Sequence, residues 1–307
     1  IVFGDWSSDV CSSDLGSVLR DTFLYPVRAI RRKNLGEALL LSLFLPDGAR
    51  LAVTLPPNSA RDLPYYEGWQ AMAAYLKAPA VFGAGLEADL AANYARARAA
   101  LTTSVKEGFG LSYLEPLMRG LPCSPPIRGR RIPSVCGDFE AEGLVFPGLY
   151  ERIAIPADFY DARAMQARAS DTARSCARAY SLEQGAEDIA GRLASLFEGE
   201  ADFGRLDELA QAQVLRTISR DSGAMAALAE LNPSLPCWHE PEGAGNWFRP
   251  TAEVLGAWSE ERYGGALVNI YDALLEAKAS SADLPPPDKS ALLKSCIQES
   301  EYYAVGS

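Results

Sequence analysis

Apolar positions along residues 23–122 switch repeatedly between short β-rich runs and helical spacing, and that switching sets the expected fold. Residues 23–27 (FLYPV) read as a strand running into a turn, and 35–45 as an apolar helix. RLAVTL at 50–55 alternates as a second strand, stopped by Pro56 and Pro57. Residues 62–77 predict an amphipathic helix with Trp69, Met72, Ala73 and Leu76 along one face. Ala80, Val81 and Phe82 make a short third strand, and 86–98 a helix turning Leu86, Leu90 and Tyr94 inward. The apolar and β-branched run 99–105 is the next strand. This order of strand and helix predicts an α/β fold with an open parallel sheet, Rossmann-like, with helices on both faces. Crossovers should be right-handed, and ligands should sit at the carboxyl ends of the strands.

The stretch 101–122, LTTSVKEGFGLSYLEPLMRGLP, carries the densest chemistry. Its strand end is followed by Glu107, Gly108, Phe109 and Gly110 in a turn. Leu111, Leu114, Met118 and Leu121 then fall on one side of a helix that Gly120 and Pro122 close. A strand, a glycine turn and a helix start suit a phosphate or a polyhydroxylated ligand. Glu107 lies in the turn and Glu115 on the helix, with seven residues between them. Upstream, Arg28, Arg31, Arg32 and Lys33 crowd the turn after the first strand. Two fixed cations there match the charge of a diphosphate. The plainer alternative makes Glu107 and Glu115 solvated carboxylates and the basic turn a solvated surface, a role that suits Arg31 and Arg32 best.

EGFGLSYLEPLMRGLP, with its preceding strand, resembles the nucleotide-sugar-binding half of a retaining glycosyltransferase of the two-domain GT-B class, family 4 type. The same resemblance covers Arg28 and Lys33, an Arg ending the first strand and a Lys five positions later; Val27 stands where a Gly is usual. It implies that Arg28 and Lys33 hold the donor pyrophosphate, that Glu107 faces the sugar hydroxyls and that Glu115 accepts from the ribose. Gly108, Phe109, Gly110 and Leu111 would line the donor at the helix start. The donor would be a UDP-, GDP- or ADP-sugar, with no cofactor and no metal. The partner of the reaction is an acceptor of unknown identity, held in the family by an N-terminal domain that this chain does not show. The resemblance therefore implies a hexosyltransferase-type enzyme whose donor half alone binds without transferring. A non-catalytic nucleotide-sugar-binding or assembly module is the alternative.

Composition bounds the remainder. Net charge of −11 argues against general nucleic-acid binding, and no run approaches a spanning helix. Six scattered Cys with no C-x-x-C pair read as free thiols of a cytoplasmic protein, and His239 is the only His. Residues 1–15 (IVFGDWSSDVCSSDL) have no period and resemble translated sequencing-adaptor sequence, so they are expected to stand outside the fold. The nucleotide-sugar domain is expected over 16–200, a helical region over 201–277 and a partly disordered tail over 278–307. After Pro122 the pattern is irregular. Pro125 and Pro126 should spoil a buried strand, so that either a local insertion has displaced it or the reading frame is briefly altered over 123–131. Arg128, Arg130 and Arg131 are weak candidates for phosphate, and 138–146 should give a last loop and strand. Helices follow over 162–179, 182–197 and within 203–231, where Leu206, Leu209, Ala210 and Val214 pack. Residues 235–250 are expected to form a Pro-, Gly- and Trp-rich connector in which Trp247 and Phe248 either anchor the connector or touch a partner domain. A helix over 251–277 shows an apolar stripe of Leu267, Ile270, Tyr271, Leu274 and Leu275.

Overall fold

A computed structural model of the chain describes residues 21–119, 121, 125–179, 185–240, 254, 256, 258–276 and 303. Residues 1–15, Trp247, Phe248 and the tail apart from Tyr303 lie outside the described residues. Six parallel strands form the main sheet in the order β3-β2-β1-β4-β5-β6. They are β1 (Thr22–Arg28), β2 (Arg50–Leu55), β3 (Ala80–Phe82), β4 (Ala97–Thr102), β5 (Ile127–Arg130) and β6 (Leu149–Tyr150). A strand feeding β1, β2, β3 outward and then returning beside β1 as β4 creates a topological switch between β1 and β4.

Helices cover both faces, and alternate strand residues show how. Phe23, Tyr25, Leu51, Val53, Ala99 and Leu101 point to one face and join the large core. There they meet α1 (Leu35–Ser42), α2 (Leu63–Leu76), α7 (Ala162–Ala179), α8 (Ala186–Ser195), α9 (Glu208–Arg220) and α10 (Ser222–Leu231). Leu24, Ala52 and Ala100 point to the other face and pack on Tyr94 and Leu121. Tyr94 belongs to α4 (Leu90–Arg96), which follows the short α3 (Ala84–Glu87). A third cluster joins α5 (Leu111–Met118), β5 and α6 (Pro133–Ala141) around Tyr113, Cys136 and Phe139. A small antiparallel pair, β7 (Ala154–Ile155) and β8 (Ala201–Asp202), ties the stretch before α7 to the stretch before α9. The helix α11 (Glu260–Glu276) follows.

Several expectations need correction. The buried strand after Pro122 does form: β5 begins directly after Pro125 and Pro126. Pro126 gives the ladder only its carbonyl, which accepts from the amide of Ala100 at 2.8 Å, so the missing proline donors cost nothing. The expected loop and strand at 138–146 is instead the end of α6 and a turn. Pro133 sits in its first turn, where a missing N–H is harmless, and Cys136 and Phe139 face inward. The expected helix over 86–98 is broken at Asp89, whose side chain caps α4 by accepting from the amide of Ala92 at 2.7 Å. Leu86 is consequently 71% exposed rather than inward, and Leu90 is also exposed. In α5 the buried face is Tyr113 and Leu114, with Met118 turned to solvent. Leu209 on α9 is likewise exposed, while Leu206, Ala210 and Val214 are buried.

The three arginines after Pro126 are each engaged by protein groups. Arg130 is fully buried and spans two carboxylates: Nε and Nη2 donate to Glu37 at 2.8 and 2.7 Å, and Nη1 and Nη2 donate to Asp202 at 2.8 Å each. Tyr150 donates to Glu37 at 2.7 Å from the other side. Arg131 forks onto Glu140, and Arg128 donates to the carbonyl of Trp238 at 2.7 Å. The buried cluster fastens the first turn of α1 to β5 and β8, directly behind the loop that carries Lys33.

Candidate functional site

The site is built at the carboxyl edge of the sheet, on the loops leaving β1 and β4. After β1 a single 3-10 turn, Arg31–Lys33, precedes Asn34, which adopts the left-handed conformation (φ 51°) and starts α1. Asn tolerates that conformation better than most residues because its side chain bonds locally. Here Asn34 Nδ2 donates to Glu37 at 2.9 Å, and Gln211 of α9 donates to Asn34 Oδ1 at 2.9 Å. The backbone of the turn is held too. Tyr25 donates to the carbonyl of Lys33, and the Thr103 hydroxyl lies 3.0 Å from the carbonyls of both Lys33 and Asn34. The phenol oxygen of Tyr25 in turn accepts from the amide of Thr103 at 3.2 Å. The loop after β1 is thus locked to the loop after β4.

That lock brings Lys33 and Glu107 together. The Lys33 ammonium donates to Glu107 Oε1, and both side chains are nearly enclosed. Arg32 approaches the other carboxylate oxygen at 3.6 Å, and the Ser112 hydroxyl donates to Oε1 at 3.3 Å. Burial pushes the Lys33 ammonium below its ordinary pKa, with the Glu107 charge opposing that shift. The Lys33 charge is therefore answered inside the protein by Glu107 rather than by water.

The turn itself depends on Gly110, which takes φ 87° as the residue before α5. A Cβ there would meet Val135 Cγ1 at 2.4 Å, so the turn also needs the absence of a side chain. Gly108 and Phe109 are exposed, and the Phe109 ring packs edge-on against Trp258 at 5.8 Å and Phe139 at 6.2 Å. Leu111 opens α5 and is half-buried. Arg28 is exposed at the last position of β1 and leans toward β2, donating to the carbonyl of Pro56 at 3.1 Å. Glu115 lies on the flank of α5, where its Oε2 accepts from the Tyr94 hydroxyl at 3.1 Å. The structure therefore joins Lys33 to Glu107 directly, while Arg28 and Glu115 each hold separate partners. Arg31 is occupied by Glu208 and Asp62, in keeping with a structural place.

Sequence reasoning missed Tyr25, Thr103, Asn34 and Gln211 as the frame of the first loop. An Asn directly after a basic turn was the available signal for a left-handed residue; the long-range partner on α9 had none. Among the described residues, no group of three or more His, Cys, Asp or Glu is placed to hold a metal ion. No helix among them is long and apolar enough to cross a membrane. A cavity of about 210 Å³ lies beside the C-terminal end of α1, lined by Leu41, Arg128, Tyr150, Asn232 and Trp238, and it contains none of the expected site residues.

Comparison with known proteins adds one similarity. The chain is 38% identical over 103 residues to mannosylglucosyl-3-phosphoglycerate synthase of Petrotoga mobilis (strain DSM 10674 / SJ95), a match covering 30% of this chain. The chain spans 18% of that relative's length. No family model and no solved structure matches the chain.

Proposed function

We propose that the chain is the donor-binding part of a retaining glycosyltransferase that uses a nucleoside-diphosphate sugar. The observation that carries this reading is the Lys33–Glu107 pair at the switch between β1 and β4, where open parallel sheets bind ligands. Arg28 and Lys33 meet the diphosphate. Glu107, released from full engagement with Lys33 when phosphate arrives, turns to the sugar hydroxyls. Glu115 accepts from the ribose, and the amides from Gly108 to Leu111 at the start of α5 add partial positive charge. As the glycosidic bond to the diphosphate breaks, negative charge grows on the departing oxygen. Arg28 and Lys33 stabilise it more in the transition state than in the ground state, which is what lowers the barrier. The acceptor hydroxyl attacks from the face on which the diphosphate leaves and passes its proton to the departing phosphate oxygen, so configuration is retained. Glu107 and Glu115 serve different parts of the donor and are not an acid/base pair. The name of the Petrotoga relative is that of an enzyme making a sugar conjugate, which fits this class. The free thiols of Cys136, Cys176 and Cys237 fit a cytoplasmic site of action.

Calorimetry with Arg28→Ala and Lys33→Ala tests the reading. Each variant should weaken a nucleoside diphosphate by more than about tenfold while leaving the bare nucleoside nearly unchanged, since charge-assisted bonds are worth about 1.5–3 kcal/mol. Equal weakening of both ligands would show that these cations do not read phosphate.

A further inference from the structure

Tyr94 is buried under the β1–β4 face, yet its one polar atom is aimed at a residue of the proposed site. Its ring packs among Leu24, Ala52, Ala100 and Leu121, and the Arg119 guanidinium lies 5.3 Å from the ring centroid on its other side. Arg119 and Glu115 are four apart on α5 and so share a helix face. The helix that carries Tyr94 is itself fixed. Asp89 caps it, and the side-chain amide of Asn93 donates to the carbonyls of Ala88 and Asp89 at 2.9 and 2.8 Å. The phenol is therefore a rigid donor presented to a carboxylate whose own side chain has three free torsions.

We infer that Tyr94 is a positioning residue for recognition of the donor's ribose, holding Glu115 in the one orientation that accepts from the sugar hydroxyls. The inference rests on the proposed role of Glu115. By taking Oε2, the Tyr94 hydroxyl fixes the carboxylate plane and leaves Oε1 to accept from ribose. A freely rotating Glu115 would spend part of the binding energy on being ordered. Burial, reinforced by the Glu115 charge, holds the phenol well above its ordinary pKa, so it stays a donor through the neutral range. The Arg119 guanidinium lies over the Tyr94 ring, on the same face of α5 as Glu115, and adds to the packing that holds the ring in place.

The test compares binding of a nucleoside diphosphate with its 2′,3′-dideoxy counterpart, for UDP, GDP and ADP in turn, to the unsubstituted chain and to Tyr94→Phe. The substitution keeps the ring, its packing and the stacked Arg119, and removes only the hydroxyl. The unsubstituted chain should prefer the ribose form of its nucleotide by about tenfold or more, as a hydrogen bond to a charged group implies. In Tyr94→Phe that preference should fall to about threefold or less, with the dideoxy form bound as before. A preference unchanged in Tyr94→Phe overturns the inference and leaves the site reading intact. Binding without any ribose preference in the unsubstituted chain overturns the role of Glu115 and the inference with it. No binding of any diphosphate overturns the proposed function itself. If Tyr94→Phe does not fold, 3-fluorotyrosine at position 94 of the unsubstituted chain gives a second readout. Its fluorine resonance should move on adding the ribose form and not the dideoxy form, and equal movement with both would refute the positioning role.

Discussion

Replacing Arg130 with Met probes how the buried charge cluster supports the loop that holds Lys33. The substitution keeps an unbranched apolar stem but removes the guanidinium, leaving Glu37 and Asp202 near each other without a cation. Glu37 is fully enclosed, and burial already raises its pKa above the ordinary 4.5 despite the opposing Arg130 charge. Removing one member of a buried ion cluster costs about 3–5 kcal/mol, because the remaining charge loses its partner and stays dry. That is about a fifth or more of the roughly 5–15 kcal/mol that holds a domain together. Urea unfolding at several pH values is the assay. A carboxylate whose folded pKa is raised binds more protons folded than unfolded, so its contribution is most favourable below the unfolded value and is lost as pH rises through the folded one. Arg130→Met raises that pKa further. The deficit relative to the unsubstituted chain should therefore be largest near pH 8 and shrink as pH falls toward 4.5. A loss below about 1 kcal/mol at pH 8, within the range of ordinary surface changes, or a loss independent of pH would refute the reasoning.

Two further outcomes follow from the same geometry. Gly110→Ala must place a Cβ at positive φ and against Val135, so stability should fall by about 1 kcal/mol or more in chemical denaturation; an unchanged midpoint would mean the turn relaxes freely. Tyr25→Phe leaves the Thr103 amide and the Lys33 carbonyl without their shared partner, and should cost about 1–3 kcal/mol while also weakening nucleoside-diphosphate binding, measured by unfolding and calorimetry together.

The main sheet was legible because β1, β2 and β4 are short and largely apolar, and because most of the intervening helices keep helical spacing. The turn at 107–110 was legible through its two glycines. What could not be read were features set by distant partners. Pro125 and Pro126 looked destructive, since nothing local shows that Pro126 needs only its carbonyl. Arg130 looked like a free cation, because Glu37 and Asp202 lie 93 and 72 residues away in sequence. The break at Asp89 was readable in principle as a capping residue, but the apolar spacing of Leu86, Leu90 and Tyr94 ran across it. On α11, Ile270, Tyr271, Leu274 and Leu275 are exposed, so helical spacing alone did not indicate burial.

The most direct measurement of the central claim is hydrogen exchange of the backbone amides with and without a saturating nucleoside-diphosphate sugar. The account predicts slower exchange in two segments distant in sequence, 28–37 and 107–115, and little change elsewhere. Protection centred instead on Leu41, Arg128 and Trp238, at the cavity beside the other end of α1, or no protection with any donor, would contradict a donor site between the β1 and β4 loops.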